Sequence, residues 1–500
     1  MCGSEGLARP AVEDGAGGAH LPGQRRREYA VRPRAGKRFR PGSFDKARGG
    51  RALSSPNFRK GAAGILAETA GEQGGRAAAG PGGYLGLLRA NRDFRMLWLG
   101  QVVSQLGDWF DTIALFTLVL KLTGSGRAVG LVLVARFLPS VLLGPLSGVL
   151  ADRFDRRHIM IASDAARALV VLGFLFVRSP EHVWLVYLLT VLQLAFSAFF
   201  EPARSAALPS VVAERDLVAA NSISSVTWSV MLTLGAAAGG PITDWFGTDA
   251  AFVIDSLTYL LSAALVWRMR LPKRPPRPKT PLTAAKALGV TDTLEGLRYV
   301  WRRPRVLALL LVKPAWGLGG GILTLLPVFG EKVFRLSLHG AVGGAALGMS
   351  ALYAARGVGT ALGPVLTRRF YSETRQQMQR AIGVSFLFAG AFYVLFGGAQ
   401  SFTLALVWLA VAHAGGSVLW VFSTVLLQSS VEDEFRGRVF AAELMLMTLA
   451  MAASNYATGE ALDRFQVSPR TATFAIGLFF LLPGLLWLLT RRLWDREREK

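Results

Sequence analysis

From Phe94 to the end of the chain, apolar stretches of about twenty residues recur, parted by short loops rich in charge, glycine or proline. A helix of about 20 apolar residues crosses a hydrocarbon core roughly 30 Å thick. Only helices and closed barrels satisfy their backbone in lipid, and these stretches are continuously apolar where barrel strands alternate, so helices are expected. Twelve spans can be placed, at 94–121, 129–150, 159–177, 183–210, 217–243, 250–269, 306–329, 342–366, 381–397, 402–430, 439–462 and 471–489. An even number puts both termini on one side of the membrane.

The loops sort by charge. DRFDRRH, EPARSAALPSVVAERD, RMRLPKRPPRPK, TRRFYSETRQQMQR and EDEFRGR follow even-numbered spans, whereas TGSGR, RSPEH, DWFGTD, EKVFRLSLHG, GGAQS and DRFQVS follow odd ones. Basic residues are held on the cytoplasmic side during insertion, so both termini are expected in the cytoplasm of a multi-pass protein of the cell inner (plasma) membrane. A missed helix would scramble this alternation. The same rule accounts for a net charge of +23 without invoking a nucleic-acid partner. The single cysteine, Cys2, excludes an intramolecular disulfide framework. No phosphate-binding loop, and no cysteine or histidine cluster with metal-ligand spacing, is present. Neither an enzyme nor a cofactor or metal protein is expected.

Residues 1–90 form a glycine-, alanine- and arginine-rich tail, expected to be disordered, that either touches anionic lipid or is an extension without a structural role. A first six-helix bundle is expected over 91–270 and a second over 304–492, with a short cytoplasmic tail at 493–500. The connection 271–303 begins as a proline-rich basic linker and ends in an amphipathic helix with Leu294 and Leu297 on one face. The two halves repeat. VARFLPSVLLGPLSGVLADRF in span 2 and AARGVGTALGPVLTRRF in span 8 each place an Ala-Arg pair ahead of a Gly-Pro pair and a basic end. The expected class is an all-α membrane protein of twelve transmembrane helices in two pseudo-repeated bundles.

Within the spans, charged and polar residues mark the candidate site. Gln101, Ser104, Gln105, Asp108, Asp111 and Thr112 share one face of span 1 at 100° per residue, and such a stripe must face protein or water. Ionisable groups at this depth are costly and usually functional, which singles out Asp108 and Asp111 for proton coupling. Arg136 in span 2 lies at matching depth, roughly 13–18 Å in from the loop at 123–127, so a permanent ion pair is the competing role. A carboxylate held by an arginine keeps its charge, while one desolvated without a cation gives it up. The carboxylate turned away from Arg136, taken as Asp108, is therefore the expected proton carrier. Arg356 occupies the corresponding place in span 8, with Glu443 as its possible counter-charge. Gly235, Gly239, Gly240 and Pro241 in span 5 form a stretch where helices approach closely and a bend is permitted. Trp109, Trp228, Trp316 and Trp420, with Met445, Met447 and Met451, line an apolar cavity or pack against lipid.

The loop after span 2 carries Gly148, Asp152, Arg153, Arg156 and Arg157. With it, the chain resembles the major facilitator superfamily of secondary transporters, whose pattern at this place is Gly-x-x-x-Asp-Arg/Lys-x-Gly-Arg-Arg/Lys; Asp155 stands where the pattern has glycine. FEPARSAALPS, EGLRYVWRRP and RGRVF are similar to the branch of multidrug, macrolide and enterobactin exporters. The resemblance implies a monomeric secondary active transporter that exports an amphipathic small molecule, such as a drug, macrolide or siderophore, by alternating access with proton antiport. A lysophospholipid transporter of the same fold is the alternative, and a non-transporting membrane sensor a more remote one. Asp152 and the entry to span 11, where Arg436 and Arg438 stand, fall on one side, so a latch between them is expected to close the cytoplasmic gate.

Overall fold

The computed structural model describes residues 83–271, 290–336, 345–370 and 374–495, and every regular element among them is helical. Most of the basic tail, the greater part of the linker and the last five residues lie outside the described residues. The helices are α1 (Gly83–Ala90), α2 (Arg92–Thr123), α3 (Gly126–Arg153), α4 (Arg156–Leu172), α5 (Val183–Val211) and α6 (Leu217–Trp267). After the linker come α7 (Val290–Trp301), α8 (Pro304–Leu318), α9 (Ile322–Val328), α10 (Ala345–Phe370), α11 (Arg375–Gly398), α12 (Phe402–Ser430), α13 (Asp433–Asp463) and α14 (Pro469–Asp495). The short α1 occupies the end of the stretch expected to be a disordered tail.

Ten helical stretches among the described residues are long and apolar enough to cross a membrane. Two differences from the sequence expectation have local causes. Spans 217–243 and 250–269 run together as α6, whose backbone leaves helical geometry only at Gly247, with φ 82° and ψ 169°. Glycine takes this left-handed conformation without the clash a Cβ would cause, so the break falls there, and Pro241 stays inside the helix. The helix at span 342–366 is α10, in which Arg356 and several glycines dilute the apolar content. Span 306–329 is itself broken: α8 ends at Leu318, three glycines follow, and α9 resumes before a π-helical turn at Phe329–Val333.

Start and stop signals are local. Asn91 caps α2, its side chain accepting from the Phe94 N–H at 2.9 Å, and α2 ends at Gly124 in a left-handed conformation with φ 61°. Ser125 then caps α3, accepting from Ala128 N–H at 3.0 Å. Asp155 caps α4, accepting from Arg157 N–H at 2.8 Å, which gives the acidic residue in the glycine position a helix-starting task.

Backbone proximity sets the packing around α2. A Cβ on Gly235 would lie 2.9 Å from that of Trp109, and one on Gly239 3.0 Å from Ile113 Cγ1, so both glycines let α6 close on α2. Gly240 turns the other way, where a Cβ would meet the Ala346 carbonyl of α10 at 2.9 Å.

Candidate functional site

A cavity of about 730 Å³ lies along α2, α5 and α6. Five members of the polar stripe on α2 reach its wall, Gln101, Ser104, Gln105, Asp108 and Thr112; the sixth, Asp111, is fully buried beside it. α5 adds Gln193, Ser197, Glu201 and Arg204, and α6 adds Ser224 together with Ser225 and Ser229, the last two one turn apart. Trp109, Trp228 and Trp420 also line it, whereas Trp316 stacks on Phe480 at 4.8 Å inside the second half. The Met451 side chain lies against Gly317 and Gly320, and the Met447 carbonyl against Gly317.

The two carboxylates of α2 have different surroundings. Asp111 faces Arg136 at 4.0 Å and accepts a hydrogen bond from Gln193 Nε2 at 3.2 Å. Asp108 accepts from the Tyr259 hydroxyl and has no ion-pair partner within 4.0 Å among the described residues. The Gln193 amide also donates to the Tyr259 oxygen at 3.3 Å, so one tyrosine and one glutamine join both acids. Tyr259, and with it the fully buried Asp255 one turn earlier, escaped the sequence reading; an aspartate inside the apolar run AFVIDSLTYLL was the available signal.

Arg167 is bonded to Asp164 and lies between two rings, 4.7 Å from the Phe200 centroid and 4.3 Å from that of Tyr259. Both charges are buried, so losing one strands the other. Arg167→Ala is expected to destabilise the protein by about 3–5 kcal/mol, and Asp164→Asn added to it to recover a large part. Thermal unfolding of the purified variants measures both effects, and an unchanged midpoint for Arg167→Ala would contradict them.

In the second half, the counter-charge of Glu443 is Lys313 rather than Arg356, with Nζ and Oε2 2.8 Å apart. The Arg356 guanidinium has no carboxylate within 4.0 Å among the described residues, and its Nε is buried without a hydrogen-bond partner.

Of the loop motif, Arg156 is buried and donates to the carbonyls of Ala206 and Ala151, while Arg157 donates to that of Trp267. These two arginines tie the loop to the ends of α5 and α6. Arg153 is exposed. The side chain of Asp152 and that of its neighbour Val149, together with Gly148, lie outside the described set. Arg436 pairs with Asp433, and Arg438 with Glu295 of α7 at 3.3 Å.

Toward the start of α2 and the end of α5, which the Asn91 amide ties by donating to the Val211 carbonyl at 2.7 Å, the cavity wall includes the exposed Glu201, Ser205 and Asn221. Toward the other end it is shut. Ile113, Ala114, Leu115 and Phe116 are buried, and Trp109 and Phe116 meet the Tyr353 ring of α10 at 5.8 and 6.3 Å. Asp463, at the end of α13, accepts from the Ser125 hydroxyl and from the Gly126 and Arg127 N–H groups, both at 3.0 Å. A carboxylate of the second half thereby caps a helix of the first.

The chain matches the Major Facilitator Superfamily over residues 97–454. It is 28% identical over 420 residues to the uncharacterized MFS-type transporter YfiS of Bacillus subtilis (strain 168), covering 82% of this chain and 96% of that one. It is 24% identical over 399 residues to macrolide efflux protein A of Streptococcus pyogenes, covering 79% and 93%. Among solved structures, it is similar to a bacterial homolog of the human lysosomal transporter Spinster in an inward-facing and unoccupied conformation. There the TM-score is 0.61 at 17% identity, covering 83% of this chain and 98% of that one; for the POT family transporter PepTSo it is 0.62 at 13% identity, covering 81% and 99%.

Proposed function

Because the chain belongs to the Major Facilitator Superfamily of membrane transporters, we propose that it exports an amphipathic small molecule across the cell membrane by alternating access, driven by proton antiport. The observation that carries this is the cavity, polar and charged in its wall, set among apolar helices, open at one end and shut at the other. Twelve spans in two halves follow when α6 is taken as two helices meeting at Gly247 and α10 is added to the membrane-crossing set. With basic loops in the cytoplasm, the open end faces inward. Asp108 reaches the cavity with no cation within 4.0 Å among the described residues, the position a proton carrier needs; Asp111, facing Arg136, is a structural charge. The export direction and an amphipathic cargo draw on the likeness to macrolide efflux protein A.

The test is accumulation of a panel of toxic amphipathic compounds in cells with and without the protein, each with and without a protonophore. At least one compound is expected to accumulate less with the protein, and the protonophore to erase the difference. A difference that survives the protonophore removes proton coupling; no difference for any compound, confirmed in proteoliposomes, removes export.

The Asp463 cap is the contact that must break for the cavity to open outward. Removing such a cap costs about 1–2 kcal/mol, a factor of roughly 5–30 in a population ratio. Asp463→Ala is therefore expected to raise labelling of a cavity cysteine, Ser225→Cys in a Cys2→Ala background, by a membrane-impermeant maleimide added outside cells. Labelling equal to that of the parent would show that the cap does not hold this state.

A further inference from the structure

The buried pair in the second half has the composition of a recognition site rather than of a simple strut. The Lys313 and Glu443 side chains are 6% and 3% exposed. The Lys313 ammonium lies 4.8 Å from the Trp420 ring centroid and 5.7 Å from that of Phe440. Glu443 uses one oxygen for Lys313, and its Oε1 is buried with no hydrogen-bond partner. A carboxylate beside aromatic faces is the environment that organic ammonium groups prefer, through charge-assisted hydrogen bonds and attraction to the ring quadrupole. Trp420 is also 43% exposed and stands on the wall of the cavity, so it separates the pair from the space that cargo enters.

We propose that Lys313 is an internal stand-in for cargo: Glu443 and Trp420 form a subsite for the ammonium group of an amphipathic amine, which takes the place of Lys313 on the carboxylate during transport. The free Oε1 lets the incoming N–H bind before the Lys313 contact is given up, so the carboxylate is never left bare. An anionic cargo displacing Glu443 would instead face the negative faces of both rings. This deepens the export reading and rests on it, since it takes the cavity as the cargo path.

The test uses the full chain in nanodiscs and two fluorescent probes, a dansyl-labelled alkylamine and its N-acetyl derivative, which has the same body without the charge. The amine is expected to bind more tightly than the acetylated probe. Lys313→Gln, which removes the competitor, is expected to strengthen amine binding about tenfold and leave the acetylated probe unchanged. Lys313→Gln/Glu443→Gln, which buries no charge and so guards against misfolding of the single variant, is expected to lose the preference while keeping the acetylated probe. An amine preference that survives in the double variant, or amine binding weakened by Lys313→Gln, overturns the subsite. In proteoliposomes under a pH gradient, equal export of both probes by wild type and double variant leaves the exporter standing and removes the subsite. Export of neither removes both.

Discussion

Asp108→Asn is expected to reduce gradient-driven efflux to the level of empty vesicles while the protein remains folded and binds cargo. Asparagine has nearly the same shape, and its Oδ1 still accepts the hydrogen bond that the Tyr259 hydroxyl gives Asp108. What it cannot do is gain and lose a proton. Folding is spared because Asp108 has no ion-pair partner within 4.0 Å to strand, unlike Asp111, whose removal leaves Arg136 without its counter-charge. The measurement is initial efflux into inside-out vesicles with an imposed pH gradient, beside cargo binding to purified protein. Full efflux from the variant would place proton coupling elsewhere, and Asp255, the other acid buried against α2, would be examined next.

The polar stripe on α2 was legible because helical periodicity alone puts residues 101, 104, 105, 108, 111 and 112 on one face, and five of them reach the cavity. The Asp111 and Arg136 depths could be counted from a shared loop, since antiparallel neighbours in a membrane keep register with its surface. Pairings between distant helices were not legible. The internal repeat places Arg356 by its likeness to Arg136 and leaves Glu443 as a possible counter-charge, but a repeat relates positions between halves and does not say which helices touch; the lysine in LALLLVKPAWGL, alone in an apolar run, is the better signal for the partner of Glu443. Trp316 shows the same limit, since hydrophobic periodicity cannot separate a ring facing a cavity from one stacked on Phe480. Pro241, which permits a bend, stays inside α6, and the helical geometry is left at Gly247, in the expected loop between the fifth and sixth spans, because a proline is accommodated inside a helix by its neighbours whereas a residue at positive φ interrupts the helical ladder.

Gly130→Leu is expected to abolish transport by preventing closure of the end that Asp463 holds. At Gly130 in α3, a Cβ would lie 2.6 Å from the Asn455 carbonyl oxygen of α13, and at Gly459 one would lie 2.8 Å from the Arg127 Cα. Bare backbone thus meets bare backbone on both sides of the contact, and four added carbons have nowhere to go while it is made. The helices must separate there, which also breaks the Asp463 cap one to two turns away. If the two halves rock about the cavity, the variant is held open to the outside. It should then lose efflux, keep cargo binding and show strong outside labelling of Ser225→Cys. Gly144→Leu is the control on the same helix, because a Cβ there meets nothing within 4 Å, and it is expected to transport normally. Wild-type efflux from Gly130→Leu would mean that this end never needs to close, and alternating access through this cavity would fall with it. Loss of efflux without a rise in outside labelling would point to misfolding, which the retained cargo binding excludes in the expected case.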